Sequence, residues 1–287
     1  MNLQVPPPLI ALLLLLLLPH VRSFVAPSRT AAVLLRSLHV LDESSGGGSS
    51  DFITSIFERF LPKPEQVGLS RFTPGSNPEK FPPTKSRSAA LLPSDKGDVA
   101  LVRPLLAGTN LETRELQVLF SGNKDSYSKI AFHNKVDRKG PCIILCRCRE
   151  GGKGFVFGGY NPTGWVNLGE YRGSIAAFLY VYKGEADIKS GNAVKLSKIG
   201  GAGLAQIDDG SGPRFGSEGL TILLDRANPR RVRCKLGLYY EKMPNGDNSL
   251  LPERLYDDEL TDFVVYGGVY APGEKVPYND ALPFQLN

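Results

Sequence analysis

The sequence contains little cysteine, and this excludes one class of folds. Four cysteines in 287 residues are too few for a scaffold held together by disulfides. Three of them, Cys142, Cys146 and Cys148, share one parity of a single predicted strand, where residues do not easily bridge each other. Their spacing fits neither a Cys-x-x-Cys redox motif nor a common zinc site. We therefore expect a reducing compartment, with no metal and no cofactor.

The sequence also lacks an apolar run that could cross a bilayer, which takes about 20 residues. The run Ile10–Leu18 instead has the length of a signal-peptide core, and a cleavage site follows Ser23. Residues 24–41 contain no acid and are similar to a transit peptide. A signal peptide over 1–23 followed by such a segment resembles the bipartite plastid-targeting leader of algae with secondary plastids. The resemblance implies a plastid (chloroplast) location, and secretion is the alternative.

Excess positive charge is concentrated in this leader. The whole chain has a net charge of +5, and residues 1–41 contain Arg22, Arg29 and Arg36 without any acid. The remainder therefore carries only +2. A nearly neutral domain lacks the positive field that nucleic-acid binding requires, so we predict no nucleic-acid partner.

The segment 42–98 is predicted to be a flexible linker that contains one amphipathic helix. Residues 42–50 are rich in Ser and Gly. Asp51 is a suitable cap for a helix over 51–61 that ends before Pro62. Its apolar positions repeat at helical spacing and form one stripe: Phe52, Ile53, Ile56, Phe57, Phe60 and Leu61. The stripe either docks on the following domain or makes peripheral contact with a membrane surface or a partner.

Residues 99–287 are predicted to form one β-rich domain with a C-terminal tail. Val99–Leu106 is predicted to be an edge segment, and helices are predicted over 111–120 and 129–138. The predicted strands are Cys142–Cys148, Phe155–Phe157, Ser174–Tyr182, Ala193–Ile199, Leu220–Asp225, Arg231–Leu238 and Phe263–Tyr270. This order predicts an α+β, β-rich fold: two packed antiparallel sheets (a β-sandwich) flanked by short helices.

An ordered set of short motifs runs through this domain. In chain order they are Phe132-His133, Asp137, Lys139-Gly140-Pro141, Phe157-Gly158-Gly159-Tyr160, Trp165, Ser174, Phe178-Leu179, Phe215-Gly216 and Val269-Tyr270. No single motif is specific, but the order resembles the TLDc domain family. The resemblance implies a non-catalytic protein-interaction module with a role in oxidative-stress resistance, and it brings no accepted catalytic mechanism. Several members bind the cytosolic sector of the vacuolar proton pump, a partner that this chain meets only if its leader is not used.

Three polar residues are candidates for chemistry. His133 and Asp137 are four residues apart on a predicted helix, so they share one face and can form an acid/base pair. With Ser174 they define the alternative function, a small hydrolase-like enzyme. No Gly-x-Ser-x-Gly elbow supports this alternative. The competing interpretation is a structural histidine, and it is the one that we favour.

Two further features concern thiols and positive charge. Cys234 lies between Arg233 and Lys235, so its pKa is lowered if the thiol is exposed, and it is the candidate redox thiol. The densest cationic cluster is Arg226, Arg230, Arg231, Arg233 and Lys235. On a strand, Arg231, Arg233 and Lys235 share one face, which either is simply solvated or binds an acidic protein partner. The glycine-rich run 199–203 is predicted to be a tight turn and not a phosphate-binding loop.

Overall fold

The structure, a computed structural model, describes residues 73–279 except 153, 200–205, 210, 211, 225, 226 and 228. The predicted leader, the helix over 51–61 and most of the turn at 199–203 lie outside the described residues. The α-helices are α1 (Asp98–Val102), α2 (Gly122–Asp125), α3 (Lys129–Val136) and α4 (Glu185–Ser190). Short 3-10 helices span Pro78–Lys80, Arg103–Leu106 and Pro252–Arg254. The strands are β1 (Leu116–Ser121), β2 (Cys142–Cys148), β3 (Val156–Asn161), β4 (Glu170–Arg172), β5 (Phe178–Tyr182), β6 (Val194–Ser197), β7 (Gln206–Asp209), β8 (Gly212–Phe215), β9 (Leu220–Ile222), β10 (Arg231–Cys234) and β11 (Asp257–Gly268).

These strands form two antiparallel sheets that share β11. Sheet A contains β1, β11, β2, β3, β5 and β6, and sheet B contains β4, β7, β8, β9, β10 and the start of β11. Residues 257–259 of β11 pair with β10, whereas residues 260–267 pair with β2 across a register shift. One long strand therefore passes from sheet B into sheet A, and the predicted β-rich antiparallel fold is confirmed.

The two sheets enclose an apolar core. Strand β2 directs Cys142, Ile144 and Cys146 into it, because alternate residues of a strand face the same side. From sheet B the core receives Phe215, Leu220, Ile222 and Val232, all with no exposed surface. The opposite face of sheet A is buried as well, under Val102, Leu105, Leu106 and Leu111. Strand β2 is thus covered on both sides, which explains its nearly continuous apolar sequence.

A buried ion pair holds this covering layer. The guanidinium of Arg103 donates to both carboxylate oxygens of Asp95, at 2.7 and 2.9 Å, and neither side chain is appreciably exposed. It also donates to the carbonyl oxygens of Leu111 and Glu112, at 2.6 and 3.2 Å. These bonds satisfy a charge that burial alone would make costly. The segment before α1 is therefore fixed to the chain that follows it.

Two predicted elements are wrong. The predicted helix over 111–120 is instead a turn region followed by β1, which pairs with β11. Its Leu116, Leu119 and Phe120 imitate a helical stripe because a bulge between Val118 and Phe120 shifts the alternation of the strand. Val99–Leu106, predicted as an edge segment, is α1 followed by a 3-10 helix. Pro104 is tolerated there because it lies in the first turn, where an N–H is not needed.

Strands β1, β4, β7 and β8 were not predicted, and apart from β1 they have only three or four residues. Such short strands lack a readable period and are stabilised by their neighbours. Within the described residues, no helix is long and apolar enough to cross a membrane.

Candidate functional site

The His133–Asp137 pair is present, and it closes the end of helix α3. Ser128 caps the start of the helix by accepting the N–H of Ala131 at 3.4 Å. One turn apart, His133 Nδ1 lies 3.0 Å from Asp137 Oδ1 and 3.2 Å from Oδ2. The backbone N–H of Asp137 also donates to the carbonyl oxygen of His133 at 3.1 Å. The carboxylate thus fixes the orientation of the imidazole and the end of the helix together.

Ser174, the third member of the hydrolase alternative, is used by its own turn. Its side chain is buried, and its hydroxyl accepts the amide N–H of Ala176 at 3.2 Å. The bonds that the structure shows for Ser174 do not reach His133. A nucleophile needs its base within hydrogen-bond reach, so the described geometry contains the pair but not the triad.

The aromatic signature residues form a continuous path through the core. Phe132 on α3 contacts Trp165 edge-on, with ring centroids 5.7 Å apart. Trp165 in turn contacts Phe215 on β8 edge-on at 6.0 Å. Edge-on packing is the favoured arrangement of aromatic pairs. The N–H of Arg138 donates to the carbonyl oxygen of Trp165 at 2.8 Å, so the path is also fixed through the backbone. These residues connect the helix, the loop and sheet B.

The signature glycines make room for that packing. A Cβ at Gly158 would lie 2.0 Å from the carbonyl oxygen of Ile144, the same oxygen that accepts the hydroxyl of Tyr180 at 2.9 Å. A Cβ at Gly159 would lie 2.8 Å from the ring of Phe215. The first contact is too close for any other residue unless β2 and β3 separate, and the second unless the two sheets separate. Gly140 and Gly216 have φ values of +79° and +70°, in the region that glycine adopts without strain.

The four cysteines are free and buried. Burial raises the pKa of the Cys234 thiol to about 12, and it also raises the pKa of Cys142, Cys146 and Cys148. The condition for a redox-reactive Cys234, an exposed thiol, is not met, because β10 directs this residue into the core. The neighbouring cations point to the other side of the strand and do not lower its pKa. Among the described residues, no group of three or more His, Cys, Asp or Glu could hold a metal ion.

The predicted cationic face exists on β10, and its charges are paired. Arg231 and Arg233 both pair with Asp257, the latter at 3.1 Å, and Lys235 pairs with Glu218 at 2.9 Å. Val232 and Cys234 between them are buried. Arg230 lies apart from this row, with its guanidinium 4.6 Å from the ring centre of Tyr127. The structure therefore brings three of the four predicted patch residues onto one face and separates the fourth.

A cleft of about 350 Å³ opens on this outer face of sheet B. Arg214, Thr221 and Arg233 are neighbours in register on β8, β9 and β10, and they form its floor. Glu218, Lys235 and the half-exposed Tyr256 complete the rim. Arginine and tyrosine are enriched at protein interfaces. We call this surface the sheet B cleft.

The fold and the buried signature define a β-rich α+β domain whose characteristic residues serve the packing of its two sheets. The family model of the TLDc domain matches residues 98–240. The chain therefore contains a TLDc domain over these residues, and the predicted resemblance is confirmed. No curated protein matches the sequence. The matched residues end before β11, although β11 is hydrogen-bonded to both sheets.

Sequence reasoning found the cationic strand but missed the cleft around it. Arg214, Thr221 and Tyr256 lie on other elements, and none of them belongs to a recognisable motif. Only the register of β8, β9 and β10 places Arg214 and Thr221 beside Arg233. Tyr256 is brought there by the bond from the N–H of Cys234 to its carbonyl oxygen, at 3.0 Å. One signal was available: Arg214 occurs in a short segment beside the signature residue Phe215, where strand alternation puts it on the face opposite to the core.

Proposed function

We propose that this TLDc domain is a non-catalytic protein-interaction module that supports oxidative-stress resistance, and that the leader delivers it to a plastid. The observation that carries the proposal is the contrast between a signature used for packing and an open, charged cleft on sheet B. The candidate nucleophile Ser174 is occupied within its own turn, and the thiols are buried. The sheet B cleft supports recognition of a protein that presents both acidic and aromatic or apolar groups.

The oxidative-stress role is supported by the family resemblance, and the buried thiols make direct reaction with oxidants the weaker explanation of it. The domain would then act by contacting another protein. The test is survival of cells that lack this protein after exposure to hydrogen peroxide. We expect the wild-type chain to restore survival, and Arg233→Glu to fail although it is folded.

A double variant is the control for chemistry. His133→Asn with Ser174→Ala removes both candidate catalytic groups and leaves the sheet B cleft intact. We expect this variant, if folded, to restore survival as the wild type does. Loss of rescue in the double variant together with full rescue by Arg233→Glu would contradict the interaction proposal.

The plastid location rests on the leader pattern in residues 1–41. A fluorescent protein fused after residue 41 should accumulate in the plastid. The same fusion without residues 24–41 should be secreted, because only the signal peptide remains. Accumulation of the full fusion outside the cell would favour the secreted alternative.

A hydrolase-like activity is the second candidate, and the oriented His133–Asp137 pair, 3.0 Å apart, favours it. A screen of ester and amide substrates should then show turnover that His133→Asn abolishes without unfolding the domain. The third candidate, binding to the vacuolar proton pump as in other TLDc proteins, requires that the leader is not used. Cytosolic fluorescence of the full-length fusion would be the first requirement for it.

A further inference from the structure

Lys195 on β6 has a partly buried ammonium group that is held by neutral partners. Its Nζ donates to the carbonyl oxygens of Thr84 and Leu105, at 2.9 and 2.6 Å. It also lies 4.3 Å from the ring centre of Phe178. Within the described part of the chain, no carboxylate contacts this ammonium. Neutral partners compensate only part of the cost of burying a charge.

Lys195 lines a cleft with a volume of about 200 Å³, and two more cations line it as well. Lys85 and Arg87 reach it from the segment before α1, and Ser88 and Asn192 add neutral polar groups. We call this surface the Lys195 cleft.

The carboxylates that neutralise two of these cations lie outside the lining. Lys85 pairs with Glu241, and Arg87 pairs with both oxygens of Glu112. The lining itself contains three cations and no acid. The Lys195 cleft is therefore positively charged on its inner wall.

The pKa of Lys195 is consistent with this positive charge. Burial, and then the positive charges of Lys85 and Arg87, lower the pKa of Lys195 to about 8. Two cations affect this pKa because they are close enough to repel the ammonium. A bound anion would reverse that effect, since it favours the charged form of the lysine.

We propose that the Lys195 cleft binds a small doubly charged oxyanion of the phosphate class. Lys195, Lys85 and Arg87 supply the charge, while the Ser88 hydroxyl and the Asn192 amide are able to donate further hydrogen bonds. The volume accommodates a phosphate group with a small substituent. Free inorganic phosphate and a small phosphate monoester share this chemistry. The proposal does not depend on the sheet B cleft, because Lys195 lies on sheet A.

Isothermal titration calorimetry of the full chain tests the proposal, with inorganic phosphate, glycerol phosphate and sulfate as probes. We expect binding by the wild type and a loss of affinity of about tenfold or more in Lys195→Met, as removal of a charged hydrogen bond predicts. Lys183→Met removes a charge from an exposed residue outside the cleft and should bind as the wild type does. Tighter binding of the monoester would identify a substituted phosphate as the ligand class.

A second variant keeps the test decisive if Lys195→Met does not fold. Ser88→Asp places a negative charge in the cleft while the bonds of Lys195 remain, and it should abolish binding. Ser126→Asp, at an exposed position elsewhere, is its matched control. A wild type that binds none of the probes, or equal affinity in Ser88→Asp and Ser126→Asp, would overturn the proposal.

The pH dependence of sulfate affinity is an independent test, because the charge of sulfate itself is constant above neutral pH. Lys195 loses its proton as pH rises through about 8, so sulfate affinity should fall there. The other charged groups at the cleft are Lys85 and Arg87 with their partners Glu241 and Glu112. The pKa of Arg87 is raised and those of Glu112 and Glu241 are lowered, so these three groups do not titrate in this range. An affinity that stays constant from neutral pH to above 9 would contradict a role for the Lys195 ammonium.

Discussion

Sheet A and sheet B differ in what covers them. Sheet A is buried between the core and the layer held by Arg103, so β2 is apolar on both faces. In sheet B the described side chains of β8, β9 and β10 are buried on one face, and the other face carries the charged cleft around Arg233. The signature residues concentrate where the sheets meet. The comparison teaches that the motifs identifying the family describe its architecture, while the face that they leave open is the one on which we propose that a partner binds.

The largest expected difference between the buried core and the protein surface is in the reactivity of thiols. Because burial raises the pKa of Cys234 from 9.0 to about 12, its thiolate fraction at neutral pH is lower by about a thousandfold. We expect iodoacetamide to leave the native protein unmodified, as intact mass shows, and to label all four cysteines in urea. Ser86→Cys, at an exposed position, is the positive control. Labelling of Cys234 before unfolding would contradict the buried core.

The same thiols predict a pH dependence of stability. Their folded pKa values lie above the unfolded value of 9.0, so above that pH the unfolded state releases protons that the folded state keeps. The free energy of unfolding should therefore fall as pH rises from about 9. Lys195, between about 8 and 10.5, and Lys198 act in the opposite direction because their pKa values are lowered by burial, but they are two groups against four. Urea midpoints measured at neutral and alkaline pH would contradict this if they rose.

Removing the cover of sheet A should have the largest effect on stability among the substitutions. Arg103→Met leaves Asp95 as a buried charge without its partner, and breaking such a pair costs about 3–5 kcal/mol. Lys189→Met breaks an exposed pair with Glu185 and should change the free energy of unfolding by less than about 0.5 kcal/mol. Urea unfolding measures both. Similar midpoints for the two variants would show that the covering layer contributes little.

Forcing β2 and β3 apart at Gly158 should lower the free energy of unfolding by somewhat less. Gly158→Ala forces a Cβ against the carbonyl oxygen of Ile144, and overpacking of this kind costs about 1–3 kcal/mol. Gly184→Ala is the control, because a Cβ there meets no atom within 4 Å and the φ of 175° is extended backbone that any residue adopts. A wild-type unfolding midpoint for Gly158→Ala would mean that the β2–β3 contact is not as close as the structure shows.

A substitution on the outer face of sheet B should change the free energy of unfolding least. Arg233→Glu loses a partly exposed pair with Asp257 and places like charges opposite each other, which costs about 1 kcal/mol or less. Partner binding should nevertheless be lost, and pull-down with the wild type as reference measures it. Lys129→Glu reverses an exposed charge away from the cleft and should retain the partner. A variant Arg233→Glu that retains the partner would move recognition to another surface.

Much of sheet A was predictable because its strands have strong local signals. Strand β2 is a run of apolar residues that only a covered central strand explains, and Gly140-Pro141 before it marks the boundary. Strand β1 was not predictable, because its bulge gives Leu116, Leu119 and Phe120 the spacing of a helix. The segment becomes a strand because it pairs with β11. Without β1, the backbone groups on that edge of β11 would have no hydrogen-bond partners.

The candidate sites also divide into those that the sequence was sufficient to predict and those that it was not. The His133–Asp137 contact follows from a spacing of four residues on a helix, so the sequence was sufficient to predict it. The burial of Cys234 was implicit in the alternation of β10, but its flanking cations suggested reactivity. Lys195 was not predicted as a site, because its neighbours Thr84 and Leu105 lie 111 and 90 residues away along the chain.

By itself, the sequence determined the family, the antiparallel β-rich class and the face of β10 on which the cations lie. These depend on periodicity and short motifs, which act over a few neighbouring residues. Only the tertiary structure decided that β11 joins both sheets, that Arg103 is buried with Asp95, and that separate cationic clefts form on sheets A and B. The reason is that charge and burial depend on all the residues that meet at one place, and those residues come from distant parts of the chain.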